Sequence, residues 1–116
     1  KHFERMIHHE FFHMIQAKHN RMFDEALWSK FNRTSFKYAE CSTCSDRTDL
    51  SLYKNTDGFL TEYSKSIPSE DMAEIFSFLM INKELVEKKI ENDLILKNKV
   101  KYLEKNLKLI DDDFVF

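Results

Sequence analysis

The chain has 116 residues, of which 42% are hydrophobic and 33% charged, and its formal net charge is −2 at pH 7. This length and apolar content predict one domain over residues 1–116 with a modest core and argue against intrinsic disorder. Acids and bases are interspersed, so no basic face for nucleic acid is expected, and no apolar run approaches the roughly 20 residues of a membrane span.

Helix is the expected secondary structure. The chain contains one glycine and one proline, which disfavours a turn-rich β fold. Residues 2–19 are predicted to form the first helix, because apolar side chains recur there at steps of three and four residues. The set that should face the core is Phe3, Met6, Ile7, Phe11, Met14 and Ile15.

The same helix carries the pattern H-E-x-x-H as His9, Glu10 and His13. Two histidines four residues apart project from one face of a helix and can bind one zinc ion. Glu10 lies one step round the helix, where its carboxylate can accept a proton from a water, the general-base role in metallopeptidases. The pattern is short, so it needs support from the rest of the chain.

His19 stands where metzincin peptidases have a third histidine ligand. The glycine that lets those chains turn is replaced here by Gln16, and helix-forming residues follow. The helix should therefore continue and carry His19 about 9 Å along its axis from His13. A ligand bond is only about 2 Å long, and we set His19 aside as a ligand.

A second helix is predicted over residues 22–32, and a mostly irregular connection follows over residues 33–53, where periodicity fades. The residues expected on the buried side of the second helix are Phe23, Leu27, Trp28 and Phe31.

Cys41 and Cys44 form a C-x-x-C pair within that connection. Three interpretations stay open from the spacing: a local disulfide or paired thiols, inert thiols, or part of a metal site. A disulfide would indicate a protein that works outside the reducing cytosol, and we favour an extracytoplasmic or secreted location.

A loop with the only glycine leads into a third helix that should begin within residues 66–69, where serines are available to cap it. Glu70 and Glu74 are four residues apart and share one face of this helix. The residues that mark its packed sides are Met72, Ala73, Ile75, Phe76 and Leu79.

A glutamate pair beside a packed surface suggests a buried positive partner, because burying an unpaired carboxylate is costly. Glu70 can complete a two-histidine, one-carboxylate zinc site with His9 and His13, and Glu74 can accept the other ring N–H of a zinc histidine. The alternative is a solvated acidic first turn that the helix dipole stabilises.

These motifs together carry a family resemblance. The H-E-F-F-H segment at residues 9–13, then Tyr63, then Glu70 followed by Ala73 and Glu74, resembles the gluzincin metallopeptidases of the bacterial putative zinc-binding metallopeptidase family. More distantly the chain is similar to lethal-factor-type peptidases and Pro-Pro endopeptidases. The roles implied by the resemblance are zinc ligation by His9, His13 and Glu70, general-base catalysis by Glu10, and stabilisation of the transition state by Tyr63.

The chain departs from many relatives at Phe12, where they have glycine. A phenylalanine there could alter the packing under the helix or close part of the cleft. Zinc peptidases also usually place a strand before the zinc helix, whereas here that helix follows Lys1 almost at once. We therefore expect the helical C-terminal part of a zincin-like catalytic domain, which is α+β when complete, without its upstream strands.

The chain beyond residue 82 is charged and should be helical to about residue 110, with a break near residues 92–93 and an end at the acidic residues 111–113. One apolar set steps by four and three residues: Leu96, Val100, Leu103, Leu107 and Ile110. We expect it to pack on the domain, because two heptads are few for a coiled coil.

The sequence thus predicts a zinc-dependent metallopeptidase that hydrolyses peptides or proteins. One rival is a zinc-stabilised binding or surface module without turnover. The other is a helical interaction domain without metal, in which both motifs are accidental.

Overall fold

The computed structural model describes residues 2–44 and 57–116. These residues are mainly helical and contain no strand, which confirms the predicted class. The helices are α1 (His2–Lys18), α2 (Glu25–Ser29), a short 3₁₀ helix (Tyr63–Lys65), α3 (Pro68–Ile81), α4 (Lys83–Ile90) and α5 (Leu94–Ile110). None of the helices found in the described ranges is long and apolar enough to cross a membrane.

Helix α3 is the centre of the fold. Every residue from 70 to 79 is buried, and helices α1, α2, α4 and α5 all contact α3. The apolar set predicted for its packed sides is buried in full, as expected: Met72, Ala73, Ile75, Phe76 and Leu79. A helix that is buried on all sides must pair its charged residues with other buried groups. This applies to the acidic residues in the first turns of α3.

The start of α3 differs from the prediction of a serine cap. The N-cap residue is Ile67, which makes no side-chain capping bond, and Pro68 occupies the first turn. Proline suits this position because its missing N–H would lack a helical partner anyway. Ser66 instead donates its hydroxyl to the Tyr63 carbonyl at 2.7 Å, so this serine closes the preceding 3₁₀ helix.

Helix α1 forms where predicted, but the prediction of its inward face is wrong. The buried residues of α1 are Arg5, His9, Phe12 and Gln16. The exposed residues include four of the six expected inside: Phe3, Ile7, Phe11 and Met14. The polar side turns inward because it pairs with carboxylates of α3, and the apolar stripe lies on the opposite side of the helix.

Phe12 is fully buried and packs underneath α1. Its ring centroid lies 5.2 Å from that of Phe23 and 5.3 Å from that of Phe76. Phe12 thus takes part in the packing under the helix, and both effects expected from a phenylalanine at this position stay predictions.

Helix α2 is shorter than predicted, because Asp24 caps it and accepts hydrogen bonds from the backbone N–H groups of Ala26 and Leu27. Phe23 and Trp28 are buried as expected, whereas Leu27 is 47% exposed, so its predicted burial is wrong. The connection that follows is irregular over residues 33–44, and the remainder of it, residues 45–53, lies outside the described residues.

The break predicted near residues 92–93 is confirmed, since Asp93 caps α5 and its carboxylate accepts from the Leu96 N–H at 2.9 Å. The helix ends at Ile110, directly before the acidic residues. Leu96, Leu103 and Leu107 of the predicted apolar set are buried in the core, which confirms packing on the domain. The last member of the set, Ile110, is exposed.

A buried ion pair joins α5 to α3. Lys99 Nζ donates to Asp71 Oδ2 at 2.7 Å, and both side chains are 0% exposed. The same carboxylate oxygen accepts from Trp28 Nε1 at 3.0 Å and from the Tyr38 hydroxyl at 2.6 Å, and Lys99 also donates to the Gly58 carbonyl at 2.8 Å. Helix α2, helix α5 and the connection at Tyr38 therefore all bond to one carboxylate in the first turn of α3.

Removing the cation of this pair should leave Asp71 as an uncompensated buried charge. We expect Lys99→Ala to lower the free energy of unfolding by about 3–5 kcal/mol, as measured by urea denaturation. Lys101→Ala, an exposed position in the same helix, serves as the control and should change it by about 0.5 kcal/mol or less. Equal unfolding free energies for the two variants would contradict a stabilising role for the pair.

Candidate metal centre

Three side-chain atoms from α1 and α3 converge at one point. The Nε2 atoms of His9 and His13 lie 3.1 Å apart. Glu70 Oε1, from the first turn of α3, lies 2.9 Å from His9 Nε2 and 2.6 Å from His13 Nε2. The helical spacing of four residues aligns the two imidazoles, and the packing of α1 on α3 adds the carboxylate.

This cluster fits a zinc ion in both donor type and spacing. Imidazole nitrogens and a carboxylate oxygen are zinc donors with bond lengths of about 2.0–2.2 Å, and tetrahedral ligands at that distance lie about 3.3 Å from one another. The three separations, 3.1, 2.9 and 2.6 Å, are shorter than that by about 0.2–0.7 Å. Small outward movements of the side chains would therefore suffice to admit the ion.

The pKa values of Glu70 and His9 also indicate that this cluster favours a positive charge. Burial raises the pKa of Glu70, but hydrogen bonds with His13, His9 and Tyr63 outweigh it and hold that pKa well below its usual range. Burial lowers the pKa of His9, but hydrogen bonds with Glu70 and Glu74 outweigh it and raise that pKa to about 9. Positive charge is thus favoured between the two carboxylates, where a proton and a metal ion compete for the same nitrogen.

Glu74 lies one turn further along α3 and is 0% exposed. Its Oε2 atom is 2.9 Å from His9 Nδ1, and its Oε1 atom accepts the Thr61 hydroxyl at 2.7 Å. Burial raises the pKa of Glu74, and bonds with His9 and Arg5 outweigh it and lower that pKa. A carboxylate on Nδ1 leaves Nε2 of the same ring directed at Glu70, the arrangement common beside metal-binding histidines.

Glu10 is exposed and borders the cluster. A ligand atom of Glu10 and one from each of His9 and His13 all lie within 4.8 Å of one another. The carboxylate is thus both close to the converging nitrogens and open to solvent, as a base that takes a proton from water requires.

Tyr63 reaches the cluster from the 3₁₀ helix before α3. Its hydroxyl donates to Glu70 Oε2, and its ring centroid is 6.0 Å from that of His9. Burial, with the hydrogen bond to Glu70, raises the pKa of Tyr63, so the phenol stays protonated and can act as a hydrogen-bond donor. Ser42 acts in the opposite direction and lowers the pKa of Tyr63.

Ser42 belongs to the C-x-x-C loop, which the structure closes with a Cys41–Cys44 disulfide. Of the three interpretations left open by the spacing, the local disulfide is therefore the one present. The loop it forms lies near Tyr63, because Ser42, one of its two inner residues, affects the pKa of that phenol.

His19 lies apart from the converging atoms. It follows the last residue of α1 and lines an apolar groove with Phe11, Leu107 and Phe114, and that groove contains neither His9 nor His13. Among the described residues, the group of histidine, cysteine and acidic side chains close enough to hold a metal consists of His9, Glu10 and His13; Glu70 is added by its distances to the two imidazoles, and His19 has no such contact.

Two residues that bond to Glu74, Arg5 and Thr61, are not among the site residues predicted from the sequence. Arg5 could have been found, because it is four residues before His9 and so lies on the same face of α1. Thr61 could not, since its contact with Glu74 depends on how the loop before α3 folds back.

The family of putative zinc-binding metallo-peptidases has a sequence model that matches residues 1–112 of this chain. The chain belongs to this family. No curated protein and no solved structure matches it. The family assignment confirms the predicted resemblance, and the helices described above fit the helical part of a zincin-like metallopeptidase domain. The distant likeness to lethal-factor-type and Pro-Pro endopeptidases stays a prediction from the motifs.

For this family member, zinc content tests the cluster directly. We expect elemental analysis of wild type, purified without chelator, to find one zinc ion per chain. Glu70→Ala should bind zinc more weakly by more than the roughly 10–100-fold that changes beside a ligand cost. His19→Ala is the control and should keep its zinc. Loss of zinc from His19→Ala alone would contradict the assignment of the cluster.

Proposed function

We propose that the protein is a zinc-dependent metallopeptidase of the gluzincin type, in which His9, His13 and Glu70 hold the ion. The observation that carries the proposal is the convergence of His9 Nε2, His13 Nε2 and Glu70 Oε1 within 2.6–3.1 Å of one another. Membership in a metallopeptidase family supports the same reading.

Bound zinc would supply a Lewis acid that polarises the scissile carbonyl and acidifies the attacking water. Glu10 then acts as the general base, taking the proton of that water and passing it to the leaving amine nitrogen. The exposure of Glu10 and its closeness to both histidines support this role.

Tyr63 is proposed as the donor that stabilises the oxyanion formed when water attacks the carbonyl. The hydroxyl that now bonds Glu70 would turn to the substrate oxygen, and such donors contribute about 3 kcal/mol in the transition state. Glu74 acts behind the ligands, because its bond to Nδ1 holds the His9 ring in place.

The substrate is proposed to be a peptide or protein outside the reducing cytosol. The Cys41–Cys44 disulfide supports this location, since disulfides persist in oxidising compartments.

Exchange of Glu10 for Gln separates catalysis from zinc binding. We expect Glu10→Gln to retain zinc while its cleavage of a peptide library falls by about 10²–10⁴-fold, because the base is lost and the ligands are intact. Glu4→Gln makes the same chemical change at another exposed position of α1 and should leave cleavage unchanged.

Full cleavage by Glu10→Gln would refute the proposed mechanism. Stoichiometric zinc in a wild type that hydrolyses no peptide would favour the zinc-stabilised binding module instead. A wild type without zinc would favour the helical interaction domain.

A further inference from the structure

Arg5 is a buried arginine that the proposed chemistry does not use. It lies one helical turn before His9 in α1 and is 4% exposed. A charge in such a place is costly unless it is paired, so the partners of its guanidinium show what it does.

The two hydrogen bonds that Arg5 makes to other described residues come from the same atom. Nη1 donates to Glu74 Oε2 at 2.6 Å and to Ser77 Oγ at 3.1 Å. The other terminal nitrogen, Nη2, is buried without a hydrogen-bond partner among the described residues, and the guanidinium carbon lies 4.5 Å from the centre of the Phe78 ring. The arginine thus binds the carboxylate through one nitrogen rather than as a two-pronged fork.

The oxygen that Arg5 binds is the one that His9 binds. Glu74 Oε2 lies 2.6 Å from Arg5 Nη1 and 2.9 Å from His9 Nδ1. Arginine offers only donors, so Oε2 must accept, and the Nδ1 atom that shares this acceptor carries its hydrogen. On a neutral imidazole this leaves the Nε2 lone pair free to bind a metal.

Thr61 fixes the other oxygen of the same carboxylate at 2.7 Å. Glu74 is therefore held at both oxygens, by α1 on one side and by the loop before α3 on the other. Without Arg5, Oε2 would keep the histidine as its sole partner among the described residues, and the carboxylate would lose the one partner that carries a permanent charge.

We propose that Arg5 is a positioning residue for the metal centre, which holds Glu74 so that the His9 ring presents Nε2 to the ion. The inference rests on the proposed function in one respect, namely that His9 is a zinc ligand. It goes beyond that function by giving the buried cation of α1 a part in setting zinc affinity.

The test is the zinc dissociation constant, measured with zinc alone by competition with a chromophoric chelator. Arg5→Met should weaken zinc binding by roughly 10–100-fold, the usual cost of changing a group that orients a metal-binding histidine. Arg5→Lys should recover most of the loss, because one ammonium can replace the single nitrogen that binds Glu74. Leu103→Ala lowers stability through a core position of α5 and should leave the dissociation constant unchanged.

A double-mutant cycle distinguishes positioning from a general structural role. If Arg5 acts through Glu74, then Arg5→Met should have little further effect on zinc affinity in a Glu74→Gln background. This comparison uses only Glu74→Gln and the double variant, which lacks both buried charges, so it can be made even if Arg5→Met alone does not fold. A full additional loss in that background would overturn the inference, as would wild-type affinity in Arg5→Met.

The outcome is separable from that of the proposed function, because zinc affinity rather than cleavage is read. A chain that binds zinc in an Arg5-dependent way without cleaving peptides would refute the peptidase proposal and leave the inference standing. A chain that cleaves peptides and binds zinc equally well with and without Arg5 would refute the inference alone. A wild type that binds no zinc would overturn both.

Discussion

The fold depends on two glutamates that α3 carries into its contact with α1. Because α3 is buried over residues 70–79, Glu74 is fully removed from solvent and Glu70 is nearly so, and both need partners inside the protein. Helix α1 supplies these partners as two histidines and an arginine. Charged and polar pairs therefore join the two central helices beside the apolar contact of Phe12 with Phe76, and the same charges form the candidate metal centre.

This constraint explains why α1 presents its polar side to the core. A helix with Phe3, Ile7, Phe11 and Met14 along one stripe would normally bury that stripe, yet here the opposite side of the helix is buried, where it supplies the partners of Glu74. Stability and function are consequently linked at one contact. A second buried ion pair, between Asp71 and Lys99, joins the first turn of α3 to α5. Lys99 also donates to the Gly58 carbonyl, in the loop that leads to the 3₁₀ helix.

Much of this arrangement could be predicted from local spacing. The i, i+4 pairs His9/His13 and Glu70/Glu74 each define a helix face, and the family motif joined them with Tyr63 into one site. The inward face of α1 could not be predicted, because its apolar periodicity is real and only the tertiary contact with α3 overrides it. The Lys99–Asp71 pair could not be predicted either, because a lysine in a charged helix is expected to be exposed to solvent unless the packing of the helix is known. The prediction of a serine cap was wrong, because α3 begins at Pro68 and its N-cap residue is Ile67.

We propose that one zinc ion lies between α1 and α3. Anomalous diffraction from crystals of the zinc-loaded chain, recorded on both sides of the zinc absorption edge, would locate the ion. We expect one strong anomalous peak about 2 Å from His9 Nε2, His13 Nε2 and a Glu70 carboxylate oxygen. A peak at His19 or at any other group of side chains, with none at these three atoms, would contradict it.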